Sequence, residues 1–267
     1  MGLVANARMY GLTPGLRDAW GALFAWISGR AGVPLAVIDH AAPAPLEALW
    51  RRDDLGLAFM CGLPFTRGEY AVVPVAAPVP SSTGRSAYAS DLVVRAHDDA
   101  ATLPDTFGRR IGWTVEHSQS GFNALRFHLL AHRSPDRPQL FSASVGPLVT
   151  PRRVIEALLA GEIDLGPLDS YAHDLLKAED PETAARLRVV ATTSETPMPL
   201  LVASAGVDGE TIERSRAALL AASAEPRLAP VLSRLRLQGF AAVERSEYRV
   251  LLDQAAAAEA AGYVVPI

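Results

Sequence analysis

"RRIGWTVEHSQSGFNALRFHLL", residues 109–130, runs from an apolar stretch through a polar knot at 116–121 into Phe122, Leu125, Leu129 and Leu130. The first part suits a strand, and apolar residues three and four apart suit one face of a helix. A strand therefore feeds a helix through a serine and glycine turn, with the first helical turn at about residues 119–123. Such a start leaves backbone N–H groups unpaired at the positive end of the helix dipole, which favours an anionic cluster of oxygens. Ser118 and Ser120 can add hydroxyl donors, and Gly121 can let a ligand approach the backbone. The competing reading is an ordinary helix capped by one of the serines. The rest of the chain has to decide between them.

Other chemistry fits the stretch less well. Glu116 stands where a G-x-S-x-G nucleophile elbow needs its first glycine, and the His117 side chain points elsewhere on a strand or turn. His128 and His132 lie four apart on the helix, but "HLLAH" lacks the internal glutamate of the zinc-protease motif and no third ligand is evident, so no metal is expected. The chain carries no P-loop lysine motif and no dinucleotide glycine fingerprint, so no cofactor is expected either.

Working outward, strands and helices alternate on both sides. "GLVANARM", "VPLAVID" and "LGLAFMCG" read as strands, the last with the continuous apolar run of one buried on both faces. "PGLRDAWGALFAWISGRAG" and "PLEALWRRDD" read as helices. This order implies right-handed crossovers and a parallel sheet. "YAVVPVAAPV" and "RSAYASDLVVRA" are longer strand-like runs separated by the turn cluster "PSSTG". The alternation then starts afresh with "RRIGWTV", the helix after Ser120, the strand "QLFSASV", a helix in "TPRRVIEALLAG" capped by Thr150 and closed by Gly161, the strand "IDLGPLD", and a short helix after "SYAHDLL". "RLRVVATTSETPMPLLVAS" is extended and can carry the chain back, after which helices are expected at roughly 209–223, 226–238 and 246–261 with Asp208 and Ser246 as N-caps. The expected organisation is an α/β fold of two lobes joined by a hinge of two crossings. Residues 1–96 with 193–267, including the C-terminal helices, make lobe 1, and 97–192 make lobe 2.

In doubly wound folds ligands lie against the loops after the strand carboxyl ends. "ARMYG" puts Tyr10 on such a loop, "FMCGLPF" puts Cys61 and Gly62 on another, and "LGPLDSY" puts Asp169 on a third. Singly, Tyr10 reads as packing, Cys61 as a small buried apolar residue and Asp169 as a helix cap. Their common placement favours binding.

Composition sets the outer bounds. The 267 residues carry a formal charge of -4 with Lys177 as the only lysine, which argues against a nucleic-acid partner. With one cysteine, the chain can form no internal disulfide. No segment approaches the roughly 18 apolar residues of a membrane span, so no insertion is expected. "LVANARMYG" reads as a strand entering a loop and not as a secretory leader. The expected location is cytoplasmic if the chain is complete as written, and periplasmic if a leader has been removed.

These motifs together resemble the phosphate/phosphonate-type periplasmic binding proteins of ABC transporters, which have the type II solute-binding fold. "MYG" is similar to that family's "MYD", "CGLPF" to its "CGYP", and "EHSQSGFNALR" to its "DSQSGYNALR". "LLAGEIDLGPLDSYAHDLL" resembles the segment that ends in an aspartate after the last strand of the second lobe. The resemblance spans most of the chain. It implies a clamshell that closes on a small anionic, phosphate- or phosphonate-like solute for ABC-type uptake, with an ABC permease as partner. In that frame Ser118, Ser120, Gly121 and Asn123 meet the anion, Tyr10, Tyr88 and Asp169 line the cleft, and Gln119, Phe122, Cys61 and Gly62 complete the ligand-binding set. Phosphonate binders of the family carry a histidine where this chain reads "VGPLVTPRRV", which leaves either Arg152 or Arg153 as a replacement or a ligand other than a phosphonate. The alternative is a cytoplasmic enzyme on the same fold, like the menaquinone-pathway enzymes that act on small organic acids, with Asp169 or His117 as acid or base. A regulator's effector lobe is disfavoured, because no helix-turn-helix precedes the first strand.

Overall fold

The structure, a computed structural model, describes residues 2–267. It divides into two compact units, the first formed by residues up to Ala87 together with Pro197–Glu247 and the second by Tyr88–Thr196 with Tyr248–Ile267.

The first unit is built on a six-stranded sheet in the order Leu237–Ala241, Val72–Pro80, Leu200–Ser204, Leu55–Met60, Leu3–Asn6, Leu35–Val37. The expected parallel pairing holds for Leu3–Asn6 with its neighbours Leu35–Val37 and Leu55–Met60. Beyond them the returning chain inserts Leu200–Ser204 antiparallel to both Leu55–Met60 and Val72–Pro80, so the sheet is mixed. Leu55–Met60 is buried along its whole length, as its unbroken apolar run requires. Helix Pro14–Ala31 starts with Thr13 accepting from the Leu16 N–H and proline in the first turn, and it ends on Gly32 at φ 63°, a left-handed position that glycine adopts without strain. It buries Leu16, Trp20, Leu23, Phe24 and Ile27. Trp20 and Tyr10 both set their rings edge-on to Phe59, at centroid distances of 5.0 and 4.9 Å.

Residues 226–238 depart from the expected helix. A short turn at Pro226–Leu228 leads into helix Ala229–Arg234, and Leu237–Ala241 is the edge strand, paired antiparallel to Val72–Pro80. Pairing with an open sheet edge overrides the local helical preference of this segment.

The second unit carries an antiparallel sheet in the order Leu187–Thr192, Ser90–Arg95, Gly166–Asp169. Arg110–Gly112 pairs in parallel with Ala143–Val145 and is bridged to the sheet through Ile111 and Leu165. Ile111, Trp113, Phe122, Leu125, Leu129 and Leu165 share one apolar core. Val154, Leu158, Ile163 and Leu168 share a second one beneath helix Pro151–Leu159. Thr150 caps that helix by accepting from the Arg153 N–H at 3.1 Å.

The units divide the chain differently from the expected lobes. Ser90–Arg95 was expected in the first lobe, but its backbone ladder runs to Leu187–Thr192 and Gly166–Asp169, which places it in the second. The last helix, Arg249–Ala260, also joins the second unit, because buried polar groups at 119–126 find their partners on it and on the tail that follows. The chain therefore passes from unit to unit three times, at residues 87–88, 196–197 and 247–248, where two crossings were expected. Among the described residues no helix is long and apolar enough to cross a membrane.

Candidate functional site

The turn after Arg110–Gly112 is where the second unit presents polar groups. Ser118 is extended and its side chain accepts from the Gly121 N–H at 3.0 Å, so it is the N-cap. The helix does not begin as an α-helix. Asn123 N–H reaches the carbonyl of Ser118 at 3.0 Å and Ala124 N–H reaches that of Gln119, so residues Gln119–Asn123 form a π-turn that continues as helix Ala124–Leu130. This wider turn places the N–H groups of Gln119, Ser120 and Phe122 ahead of the first helical bond, without an acceptor in the ladder.

The six residues of this turn split into two sets. Gln119, Phe122 and Asn123 point into the unit. Asn123 donates to Gln119 Oε1 at 2.7 Å and to the Leu251 carbonyl at 3.0 Å, while Gln119 Nε2 donates to Gln254 Oε1 at 2.7 Å. The Phe122 ring meets Trp113 edge-on at 5.0 Å and lies 4.6 Å below the Arg126 guanidinium. Gly121 is also structural, because a Cβ there would fall 1.9 Å from Thr114 Oγ1, and its carbonyl accepts from the Thr114 N–H at 3.2 Å. The glycine brings the helix onto the strand, where an approach by ligand was expected. Ser120 is half-buried, and its hydroxyl makes no hydrogen bond among the described residues.

Asp169 ends strand Gly166–Asp169, which packs against the π-turn. Its register partner Ser90 donates through Oγ to the Ser120 carbonyl at 2.8 Å, tying the two together. Asp169 is buried and caps helix Ser170–Glu179 by accepting from the Ala172 N–H at 2.9 Å, so the cap reading of this residue holds. Burial raises the neighbouring Tyr171 hydroxyl well above its ordinary pKa, and the Asp169 charge adds to that. Tyr88, at the start of the same unit, is buried.

In the first unit, Tyr10 is 1% exposed and packed on Phe59. Cys61 is the extended N-cap of a six-residue helix, Gly62–Arg67, and makes no side-chain cap bond. The segment read as an open loop is thus the start of a short helix whose first four residues are all buried. Arg152 and Arg153 are engaged locally, Arg152 with Glu156 at 3.1 Å and Arg153 with Glu162. Among the described residues no group of three or more metal-ligating side chains is placed to hold an ion.

Sequence reading missed Ser90, Thr114 and Gln254. For Gln254 a signal existed: in "LLDQAAAAEA" it shares the buried face of Leu251, Ala255 and Ala258, and a glutamine on such a face needs a partner.

A family model described as "ABC transporter, phosphonate, periplasmic substrate-binding protein" matches residues 13–248. Among solved structures, the binding-protein component of an ABC phosphonate transporter from Pseudomonas aeruginosa superposes with a TM-score of 0.82 at 16% identity, covering 97% of this chain and 87% of that one. PhnD1 from Prochlorococcus marinus, solved in complex with methylphosphonate, gives 0.78 at 17% identity over 96% and 98% of the two chains. The alkanesulfonate-binding protein SsuA from Xanthomonas axonopodis, bound to MOPS, gives 0.67 at 15% identity over 100% and 96%. No curated protein sequence matches the chain. At these identities the structural likeness establishes the fold.

Proposed function

Because the chain belongs to the phosphonate-type periplasmic substrate-binding proteins of ABC transporters and has their type II fold, we propose that it takes up a phosphonate or phosphate monoanion at the Ser118–Gly121 turn and presents it to a membrane permease in the periplasm. The observation that carries this reading is the π-turn itself. Its N–H groups at Gln119, Ser120 and Phe122 precede the first helical bond, and the Ser120 hydroxyl beside them is unengaged. Three backbone donors and a hydroxyl at a helix start match an oxyanion with several oxygens.

Asp169 selects which oxyanion. A carboxylate packed against an anion site repels a fully ionised ligand and accepts a hydrogen bond from a protonated one. A phosphonate or phosphate monoanion has a P–OH to donate, whereas a sulfonate has none. The contact set proposed here is Ser118, Ser120, the backbone of Gln119–Phe122 and Asp169. Tyr10, Cys61 and Gly62 stay packing residues of the first unit, and Tyr88 a buried residue of the second.

The test is calorimetric titration with methylphosphonate, inorganic phosphate and methanesulfonate at neutral pH, alongside thermal unfolding. The first two should bind and stabilise the protein by about 2.7 kcal/mol at a hundredfold excess over Kd, with the sulfonate at least tenfold weaker. If neither phosphonate nor phosphate binds at millimolar concentration, or the sulfonate binds equally well, the reading fails.

A further inference from the structure

Along helix Ala124–Leu130, which continues the π-turn, the second unit holds a hollow of about 300 Å³. Its walls come from helix Ala124–Leu130, from Ser194 on the extended chain and from Gln254 on the last helix. Ala124, Phe127 and Ala131 give an apolar lining, and no acidic side chain, lysine or arginine faces it. Burial and the neighbouring His132 hold the His128 imidazole, also in the wall, below its ordinary pKa, which keeps the lining uncharged at neutral pH.

Gln254 is the most deeply buried polar residue lining this space. It is 4% exposed, and its Oε1 is taken by Gln119. Its Nε2 makes no hydrogen bond among the described residues, yet it is not one of the buried atoms sealed away without a partner. Gln254 lines the hollow, which offers that N–H a space to meet an acceptor. An amide that is ninety-six parts in a hundred buried and still keeps a donor unpaired is uncommon in protein interiors.

We infer that this hollow is a second small-molecule site, suited to a neutral solute with a hydrogen-bond-accepting oxygen on a short apolar body. The donor fixes the acceptor, the lining fixes the apolar part, and the absence of a facing cation disfavours an anion. The volume lies at the lower end of ligand pockets, so the solute is small. The site is separate from the oxyanion turn but linked to it. Gln254 holds Gln119, Gln119 holds Asn123, and both lie in the π-turn.

The experiment uses N,N-dimethylacetamide, an acceptor-only neutral amide, and isobutyrate, an anion of nearly the same shape. Side-chain and backbone amide shifts are followed by NMR in the full chain. The amide should shift the Gln254 side chain, Ala124, His128 and Ser194 saturably with a Kd of roughly 1–10 mM, as expected for so small a ligand, and isobutyrate should bind about tenfold more weakly. Gln254→Glu keeps the acceptor for Gln119 and removes the donor, so amide binding should fall about tenfold. Since a buried carboxylate can unfold the unit, Ala131→Leu is the second variant: it fills the hollow from its exposed rim and should abolish the shifts without touching Gln254. Absence of saturable shifts in the unmodified protein, equal binding of isobutyrate, or unchanged binding in Ala131→Leu overturns the inference. Methylphosphonate titration of the same samples reports the oxyanion turn independently.

Discussion

The turn at Cys61–Gly62 in the first unit and the turn at Ser118–Gly121 in the second both carry a strand into a helix through a glycine. The first starts a six-residue helix with no side-chain cap, and Gly62, Leu63, Pro64 and Phe65 are all buried. The second starts with a serine cap and a π-turn that opens the spacing of the first N–H groups. The difference lies in what each turn does with its polar backbone. At Cys61 the turn is absorbed into packing, and at Ser118 the inward amides of Gln119 and Asn123 are held by the last helix while the outward donors are left over. A strand-to-helix turn becomes a binding candidate when its inward half is fixed and its outward half is not.

The most disruptive way to break this contrast is to remove the close approach beneath the second turn. Gly121→Ala puts a Cβ 1.9 Å from Thr114 Oγ1. It should lower stability by about 3 kcal/mol, the upper part of the overpacking range, and abolish methylphosphonate binding by displacing the turn. Thermal unfolding and calorimetry check both. Thr114→Ala in the same chain relieves part of the clash, so the double variant should be less destabilised than the sum of the two single changes.

A loss of stability away from the turn should leave binding alone. Asp164 accepts from Arg95 and Arg110 at 3.0 and 2.9 Å. Burial pushes its carboxyl up, but these bonds outweigh it and hold the pKa at about 2, against an ordinary 3.8. A depressed carboxylate stabilises the fold fully above its unfolded value, and the contribution fades as pH falls from 3.8 towards about 2. Asp164→Asn should cost about 2 kcal/mol at neutral pH and flatten the acid limb of stability over that window, with methylphosphonate affinity unchanged. If affinity falls in step with stability, the effect expected at Gly121 is generic and the contrast loses its meaning.

Ser118→Ala is smaller. It removes the acceptor for the Gly121 N–H and should cost about 1 kcal/mol, as lost N-caps do. Because the freed N–H then turns to solvent or ligand, affinity should fall less than fivefold. Calorimetry at matched folded fraction separates the two.

How far the sequence reaches is visible in this turn. The cap by one of the serines, the apolar face at Phe122, Leu125 and Leu129, and the caps at Thr150 and Asp208 were legible because each is fixed by residues within one or two turns, whereas Ser246 lies in a 3-10 turn and the last helix starts after Tyr248. The inward role of Gln119 and Asn123 was not, because their partners Gln254 and Leu251 lie 135 and 128 residues away. The same limit hid the edge strand Leu237–Ala241 and the placement of the last helix, which are decided by pairing and buried polar groups far along the chain. The resemblance gave the family and fold, yet it could not sort the six residues of the turn into those that hold it and those that offer donors.

Ser120→Ala probes that sorting with the least disturbance to the fold. The Ser120 hydroxyl has no partner among the described residues, and the backbone carbonyl that Ser90 holds is untouched by the change. Stability should therefore stay within about 0.5 kcal/mol. A hydroxyl donating to a charged oxygen contributes roughly 1.5–3 kcal/mol, so methylphosphonate should bind about tenfold to a hundredfold more weakly, seen by calorimetry on an equally stable protein. Cys61→Ala, the matching change in the first unit, removes a buried thiol and should cost about 1 kcal/mol of stability, with affinity held within twofold. The reverse pattern, with Cys61 governing affinity and Ser120 silent, would move the oxyanion site from the second turn to the first.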